Sequence, residues 1–501
     1  MKLRELLVGT DLADVARDAD ADITSLAYDS SRVGPGALFF AVRGKRADGH
    51  DFAPAAVERG AAALVVEREL DLPVPQVLVP DARSAMAPIA VRFWGDPTAT
   101  LRVAGITGTN GKTTTAFLVR HILESHGTRA GLLGTVKSVV GGVEEDVERT
   151  TPEAIDLQRI FRRMLDAGDE ACAMEVSSHA IAQNRTDGVH FAVAVFTNLT
   201  QDHLDFHADM EDYFQAKRAL FLPPDAQRLP RVAVVNVDDP YGARLGGDLD
   251  RAGEPPMRTF SPSGADVADY RAIDSSFDAS GSRFRCVWPG GEVDVRTPLA
   301  GHFNVENALA AIAACHTLGL SVEDAAASLA DAGRAPGRFE PVEAGQPFAV
   351  LVDYAHTPDS LENVLNAARR LTEGRLVCVF GCGGDRDRDK RPKMGEIAAR
   401  LADRSVVTSD NPRSEDPGAI IAEILAGIPG YANGNGRDDV AVEPDRRAAI
   451  ALALADAEPG DTVVIAGKGH EQGQEFADGR KVPFDDRVVA SELLAQPGRT
   501  R

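Results

Sequence analysis

Residues 101–127 read LRVAGITGTNGKTTTAFLVRHILESHG. The opening LRVAGIT is apolar and partly β-branched, the composition of a buried strand. The closing KTTTAFLVRHILESH repeats its apolar residues at helical spacing and stops at Gly127, a residue suited to a helix C-cap. Between them lies a glycine loop. Glycine lets backbone N–H groups approach phosphate oxygens, and the helix that follows turns its positive end toward them. Lys112 has the reach for the β- and γ-phosphates, and the Thr113 hydroxyl is placed to ligate Mg2+. The strict GxxxxGK[ST] spacing is not met, because Ile106 stands five residues before Gly111 and the glycines are Gly105 and Gly108. The flanking strand and helix carry the assignment instead, against the alternative of a plain glycine-rich turn. The nucleotide is expected on Gly108, Thr109, Asn110, Gly111, Lys112, Thr113 and Thr114.

Working outward, the chain alternates strands and helices in three blocks. Residues 1–97 contain GALFFAV and ALVVE as strands around the helix DFAPAAVERGAA, and the Gly-Asp-Pro of FWGDPTATL breaks the pattern near residues 95–100. Residues 98–335 add the apolar strands EACAMEVSS, FAVAVFTNL and RVAVVNVDD, which read as a parallel sheet covered on both faces. An antiparallel excursion is expected near 255–298, before the helix NVENALAAIAACHTLG. GRAPGRFEPV marks the next boundary, and residues 336–501 alternate again in a doubly wound, Rossmann-like pattern, whose ligands sit beyond the carboxyl ends of the strands. The expected class is α/β in three domains.

A formal charge of −22 over 501 residues argues against nucleic acid or an anionic membrane as partner, so an anionic substrate must meet a local positive site. Only nine residues are lysine, and Lys112, Lys217 and Lys468 fall inside motifs. The five cysteines form no CxxC pair and read as core thiols. No apolar run is long enough to cross a membrane and no secretory h-region opens the chain, so a cytoplasmic protein is expected.

Two strand ends concentrate acid and imidazole. AMEVSSHAIAQNR holds Glu175, and TNLTQDHLDFH holds Asp202, His203, Asp205 and His207. The i,i+4 pair His203 and His207 would suit zinc on a helix face. The surrounding oxygen donors and the phosphate loop favour Mg2+ instead. Read alone, Lys217 of YFQAKRALF is a surface lysine beside Arg218.

The loop TGTNGKTT, together with these clusters, resembles the Mur ligases, with the folylpolyglutamate synthetases as cousins, and the resemblance runs through all three blocks. It implies an N-terminal uridine-binding domain, a central ATP-binding domain and a C-terminal amino-acid-binding domain. It also implies an ATP-dependent amide ligase that extends a UDP-N-acetylmuramoyl peptide through an acyl phosphate; separately, a monomer is expected. Thr113 would serve one Mg2+, and Glu175 and His203 a second. Thr150, Thr151, Ser177, Gln183 and Arg185 would contact the uridine-nucleotide substrate, the UDP-N-acetylmuramoyl dipeptide. Lys217 would be carbamylated, which turns a cation into an anion. Ser30 of YDSSR matches the family serine, but Ser31 stands where an arginine is common and Arg32 is displaced by one. Asn304 and Arg338 would meet ATP, with Asp353 and His356 near the nucleotide.

The last block holds the incoming amine by the same resemblance, through Arg391, Gly467, Glu471 and the stretch SDNPR at 409–413. Taken alone, Arg413 is a solvated loop arginine beside Glu415 and Asp416. In the subfamily that adds meso-diaminopimelate the motif is D-N-P-R, as in Asp410, Asn411, Pro412 and Arg413. Diaminopimelate is lysine with a second carboxylate, which a guanidinium binds bidentately. The alternatives are a lysine-adding ligase, a folylpolyglutamate synthetase-like ligase, and a non-catalytic ATP-binding scaffold.

Overall fold

The computed structural model describes residues 1–8, 20–44, 47–223, 229–431 and 437–495. They form two compact units. The first comprises Met1–Gly105, Gly127–Ala194 and Ala216–Val232; the second comprises Ile106–His126, Val195–Gln215 and Ala233–Arg501.

In the first unit, Ser25–Ala27, Ala37–Phe40, Ala61–Val66 and Gln76–Leu78 make a four-stranded parallel sheet in sequence order. Ala37–Phe40 is buried at every position, as a strand covered on both faces must be. A second sheet sets Ala171–Glu175 parallel to Ala130–Leu133 and ends in an antiparallel hairpin, Ser138–Val140 with Val143–Glu145. The strand Ala171–Glu175 is likewise wholly buried, so its polar end, Glu175, is carried into the interior by its apolar neighbours.

In the second unit, Ala233–Asn236 and Met257–Ser261 are parallel, and Tyr270–Asp278, Gly281–Trp288 and Gly291–Thr297 form the antiparallel excursion expected near 255–298. The last block is a six-stranded sheet in the order Glu340–Pro341, Ala349–Asp353, Thr462–Ala466, Leu376–Phe380, Arg404–Val407, Val440–Val442, parallel throughout except at its first strand. The strand Val440–Val442 and the small hairpin Gly473–Glu475 with Lys481–Pro483 have no counterpart in the sequence reading. Three-residue strands leave too little pattern to see.

Arg446 and Asp486 stabilise the mouth of this sheet from inside. Both side chains have no exposure, and two guanidinium nitrogens meet the carboxylate at 2.7 and 2.8 Å. Arg446 also donates to the carbonyl of Ala466, at the end of the strand Thr462–Ala466. Breaking such a pair leaves a buried charge without its counterion. Arg446→Ala is therefore expected to lower stability by about 3–5 kcal/mol in urea denaturation; a loss under about 1 kcal/mol would show that the pair is dispensable.

Candidate active site

The glycine loop is bent by necessity. Gly108 and Gly111 have φ of 151° and 86°, which other residues rarely adopt. A Cβ on Gly108 would come within 1.9 Å of Thr197 Oγ1, and one on Gly111 within 2.4 Å of Asn307 Oδ1. The loop is therefore packed against a second layer: Thr197 donates to the carbonyl of Asn110 at 2.7 Å, and Asn198 Oδ1 accepts from the Asn110 N–H at 2.8 Å. Gly111 caps the helix Lys112–Ser125, and Lys112 curls back so that its ammonium donates to the carbonyls of Gly108 and Thr109. Thr109 and Thr114 are buried beside it. The cradle suits an anion: glycine backbone, a helix N-terminus and one cation converge on it.

Two residues of the last block meet this loop and the helix after it. Arg338 donates to Thr113 Oγ1 at 3.0 Å while its guanidinium lies 4.4 Å over the Tyr354 ring. The Asn110 side chain donates to Asp359 at 2.6 Å. Asn304 donates to the carbonyl of Ala300 and accepts from Asn307, and Asn307 is the residue that faces Gly111 and Thr115. Asp353 is buried, with both carboxylate oxygens taken by the N–H groups of Phe339 and Ala355, and burial raises its carboxyl to about 6. It fixes the turn that carries Arg338.

His203 does not lie on a helix. Residues 201–209 are turns and bends, and His203 sits at φ 57°. The helix face that zinc would need between His203 and His207 is absent. His203 Nε2 lies 3.3 Å from Asp202, and His356 Nε2 lies 3.9 Å from it. Burial pushes the Asp202 carboxyl up, but His203, His356 and Lys390 outweigh it and hold it below the ordinary carboxylate range. Among the described residues no group of three or more His, Cys, Asp or Glu is arranged to hold a metal. On the glycine-loop side, the Thr113 hydroxyl at the start of the helix Lys112–Ser125 is a donor type that suits Mg2+, which keeps most of its waters and needs few protein ligands.

In the first unit, Glu175 is a knot of hydrogen bonds. It accepts from the N–H and the hydroxyl of Thr135 at 2.7 and 3.0 Å. The Thr150 hydroxyl lies 3.0 Å from that of Thr135. The Thr151 hydroxyl donates to the Glu175 carbonyl and accepts from the Ser177 N–H. The Ser177 hydroxyl caps the short helix Ser178–Ala182. Arg185 donates to the Thr151 carbonyl and to Gln183, and pairs with the buried Glu153. Five of the candidate substrate contacts thus share one network. A cavity of about 180 Å³ opens beside it, lined by Tyr28, Arg32, Thr150, Glu153 and Asp156 among others. Ser30 begins a turn capped by Asp29, which takes both the N–H and the hydroxyl of Ser31, and the displaced Arg32 pairs with Glu148.

Lys217 corrects the plain reading. It lies on Met210–Arg218 but is 1 % exposed, one of the largest fully buried side chains described. An ammonium is costly to take out of water.

Arg413 is not the solvated arginine of the simple reading. Its backbone is left-handed at φ 51°, its Nε donates to Glu475 at 2.9 Å, and a terminal nitrogen donates to the carbonyl of Gly384 at 2.8 Å. Arg391 is fully buried. Its terminal nitrogens grip Glu415 on both oxygens and also meet Glu423 and the Gly383 carbonyl. The Glu415 carboxyl falls to about 2, held first by its hydrogen bonds from Arg391. Arg391 therefore braces the loops that carry Arg413. Lys468, unexposed, donates to Asn411 and Glu471 and lies 3.6 Å from Asp410. Asn411 also donates to Glu471 at 2.8 Å. Gly467 has φ 119°, and a Cβ there would press on Asp410 at 3.0 Å. Pro412 is buried beside Asn411.

Asn198, Asn307, Asp359 and Glu475 escaped the sequence reading, and Glu415 appeared there only as a neighbour of Arg413. An amide or a carboxylate on a helix, strand or loop looks the same in sequence whether or not it backs a site. For Asn198 alone, position just after the strand Phe191–Phe196 was an available signal.

Family models match three segments: the Mur ligase family catalytic domain matches residues 22–94, the Mur ligase middle domain 106–315, and the Mur ligase glutamate ligase domain 337–469. A UDP-N-acetylmuramoyl-L-alanyl-D-glutamate--2,6-diaminopimelate ligase of Geobacillus kaustophilus is 46% identical over 501 residues, covering 99% of this chain and 100% of its own. The ligase of that name from Streptomyces coelicolor is 48% identical, over 96% of this chain and 94% of its own. A solved structure of a ligase with that name superposes with a TM-score of 0.68 at 33% identity, over 99% of this chain and 98% of its own. With the loop, the strand-end clusters and full-length likeness in agreement, the chain belongs to the Mur ligase family and has its three-domain α/β architecture.

Proposed function

We propose that this protein is the ATP-dependent ligase that adds meso-diaminopimelate to UDP-N-acetylmuramoyl-L-alanyl-D-glutamate, in the cytoplasm and as a monomer. The observation that carries the reading is Arg413, held at a strand end of the last sheet by its left-handed backbone and by Glu475, beside the mixed-charge cluster Asp410, Asn411, Lys468 and Glu471. The relatives named above carry that activity in their names. Among the described residues no helix is long and apolar enough to cross a membrane.

ATP lies in the glycine loop, and Lys112 with the start of its helix offsets the charge that builds as the γ-phosphoryl group moves. A D-glutamate carboxylate oxygen bonds to the γ-phosphorus as the bond to the β-phosphate oxygen breaks. The amine then attacks the acyl carbon, the C–N bond forms, and phosphate leaves with loss of a proton from nitrogen. Thr113 would hold one Mg2+, whose chemistry is to neutralise phosphate oxygens, and Glu175 and His203 are the proposed ligands of a second. Thr150, Thr151, Ser177, Gln183, Arg185 and, from the N-terminal domain, Ser30 position the UDP-dipeptide. Asn304, Arg338 and Asp353 serve the nucleotide side, Arg338 directly and Asp353 by fixing its turn. Arg413 meets the distal carboxylate of diaminopimelate, while Arg391 and Gly467 shape the pocket around it.

Lys217 is read as a carbamate. Its buried amine would add to carbon dioxide with formation of an N–C bond and loss of a proton, replacing a costly buried cation by an anion that can orient a metal or a phosphate.

The second reading, addition of L-lysine, has one observation in its favour. Glu475 lies against Arg413 and could accept a side-chain ammonium if Arg413 turned away.

Release of ADP with the UDP-dipeptide and a panel of amines separates the two: diaminopimelate should be turned over and L-lysine scarcely. Arg413→Ala should cut kcat/KM for diaminopimelate by about 100-fold, the effect of losing two charge-assisted hydrogen bonds. Arg413→Lys should not restore it. Equal turnover of lysine by the unaltered enzyme would overturn the assignment. Lys217→Ala should abolish most turnover, with partial return on adding short carboxylic acids; full activity in the variant would refute the carbamate.

A further inference from the structure

Glu306 lies on the helix His302–Thr317 and takes no part in the reaction above. Its Oε1 accepts from the Asn198 amide nitrogen at 3.0 Å and from the Asn236 amide nitrogen at 3.3 Å. A carboxylate offers only acceptors, whereas a primary amide has a donor end and an acceptor end. Glu306 therefore turns both amides the same way, nitrogen toward itself and oxygen away. Both outward oxygens are used. Asn198 Oδ1 accepts from the Asn110 N–H at 2.8 Å, and Asn236 Oδ1 accepts from the Asp238 N–H at 3.0 Å. The Asn198 carbonyl also accepts from the Thr109 N–H at 2.9 Å. Two consecutive N–H groups of the glycine loop are thus directed into the protein by one residue. The first turn of the helix Lys112–Ser125 is left to meet phosphate.

We propose that Glu306 is a positioning residue of the phosphate loop, setting the orientation of Asn198 and through it the loop geometry that a nucleotide meets. The inference rests on reading residues 105–115 as a nucleotide loop. If Glu306 lost its charge, it would accept more weakly from both amides. If it lost its oxygens, Asn198 would be free to present its nitrogen to the Asn110 N–H, where two donors cannot pair.

The ionisation of Glu306 adds a second handle. Burial raises its carboxyl to about 7; the Asn198 donor opposes this, the negative Asp239 and Asp359 add to it, and the Asn236 donor opposes it. Asp239 caps the helix Pro240–Ala252, and Asp359 lies at the start of the helix Pro358–Leu371. Burial pushes both of their carboxyls up as well. Glu306 is charged above its own pKa and neutral below it, so its grip on Asn198 weakens as pH falls through about 7.

The test is calorimetric binding of ADP to the whole protein with Mg2+, near pH 8 and near pH 6. The proteins compared are the unaltered chain, Glu306→Leu, Glu306→Gln, Asn198→Ala and, as a control on the loop itself, Lys112→Ala. Glu306→Leu should weaken ADP by about tenfold near pH 8, the scale of one lost hydrogen bond to a charged group. Glu306→Gln keeps an acceptor and should bind within about threefold near pH 8. It should also lack the extra weakening that the unaltered chain shows between pH 8 and pH 6. In an Asn198→Ala background, Glu306→Leu should have no further effect, since the two act in series. Additive effects, or unaltered binding in Glu306→Leu, would overturn the proposal. Should Glu306→Leu fail to fold, the Glu306→Gln profile decides, and a profile parallel to the unaltered chain counts against the proposal. Failure of the underlying reading looks different: the unaltered chain would not bind ADP, or Lys112→Ala would bind it equally well.

Discussion

The packing of a side-chain-free loop against Thr197 and Asn307 is the constraint on which the shape of residues 105–115 depends. Gly108 and Gly111 each leave less room than a methyl group needs, and each holds a φ that other residues resist. The loop is rigid because its own carbonyls and N–H groups are taken by Lys112, Thr197 and Asn198. A rigid cradle loses little entropy when a phosphate arrives, which is the physical content of preorganisation.

The same economy governs charge in the last block. In a chain with a formal charge of −22, the positions of the buried cations of this block are set by carboxylates. Arg391 is clamped by Glu415 and Glu423, Arg446 by Asp486, and Lys468 by Glu471 with Asp410 close by. Each pair is costly to desolvate and gains little net stability. What it supplies is direction. Arg413, which among the described residues pairs with Glu475, has a side chain that is partly exposed, unlike those of Arg391, Arg446 and Lys468.

Much of this could be read in the linear chain. The strand, loop and helix of residues 101–127 lie where expected, because apolar runs and glycines act locally. The strand-end positions of Glu175 and Asp410 were equally legible. Lys217 was not: nothing in YFQAKRALF distinguishes a lysine that points inward from one that points out. His203 and His207 looked like a helical pair, yet the chain there turns too sharply for a helix. Arg391 and Arg413 look equivalent as loop arginines, and the structure separates them into a buried brace and a partly open donor.

Sequence by itself determined the α/β class, the strand, glycine loop and helix of residues 101–127, the order of the motifs and the kinship with the Mur ligases. Those depend on residue type and short-range spacing, which survive without coordinates. Only tertiary structure decided which polar side chains support and which present: Glu306 behind Asn198, Asp353 behind Arg338, Glu415 behind Arg391. Such assignments turn on which atoms of distant segments come within about 3 Å, since a hydrogen bond fades sharply beyond that reach.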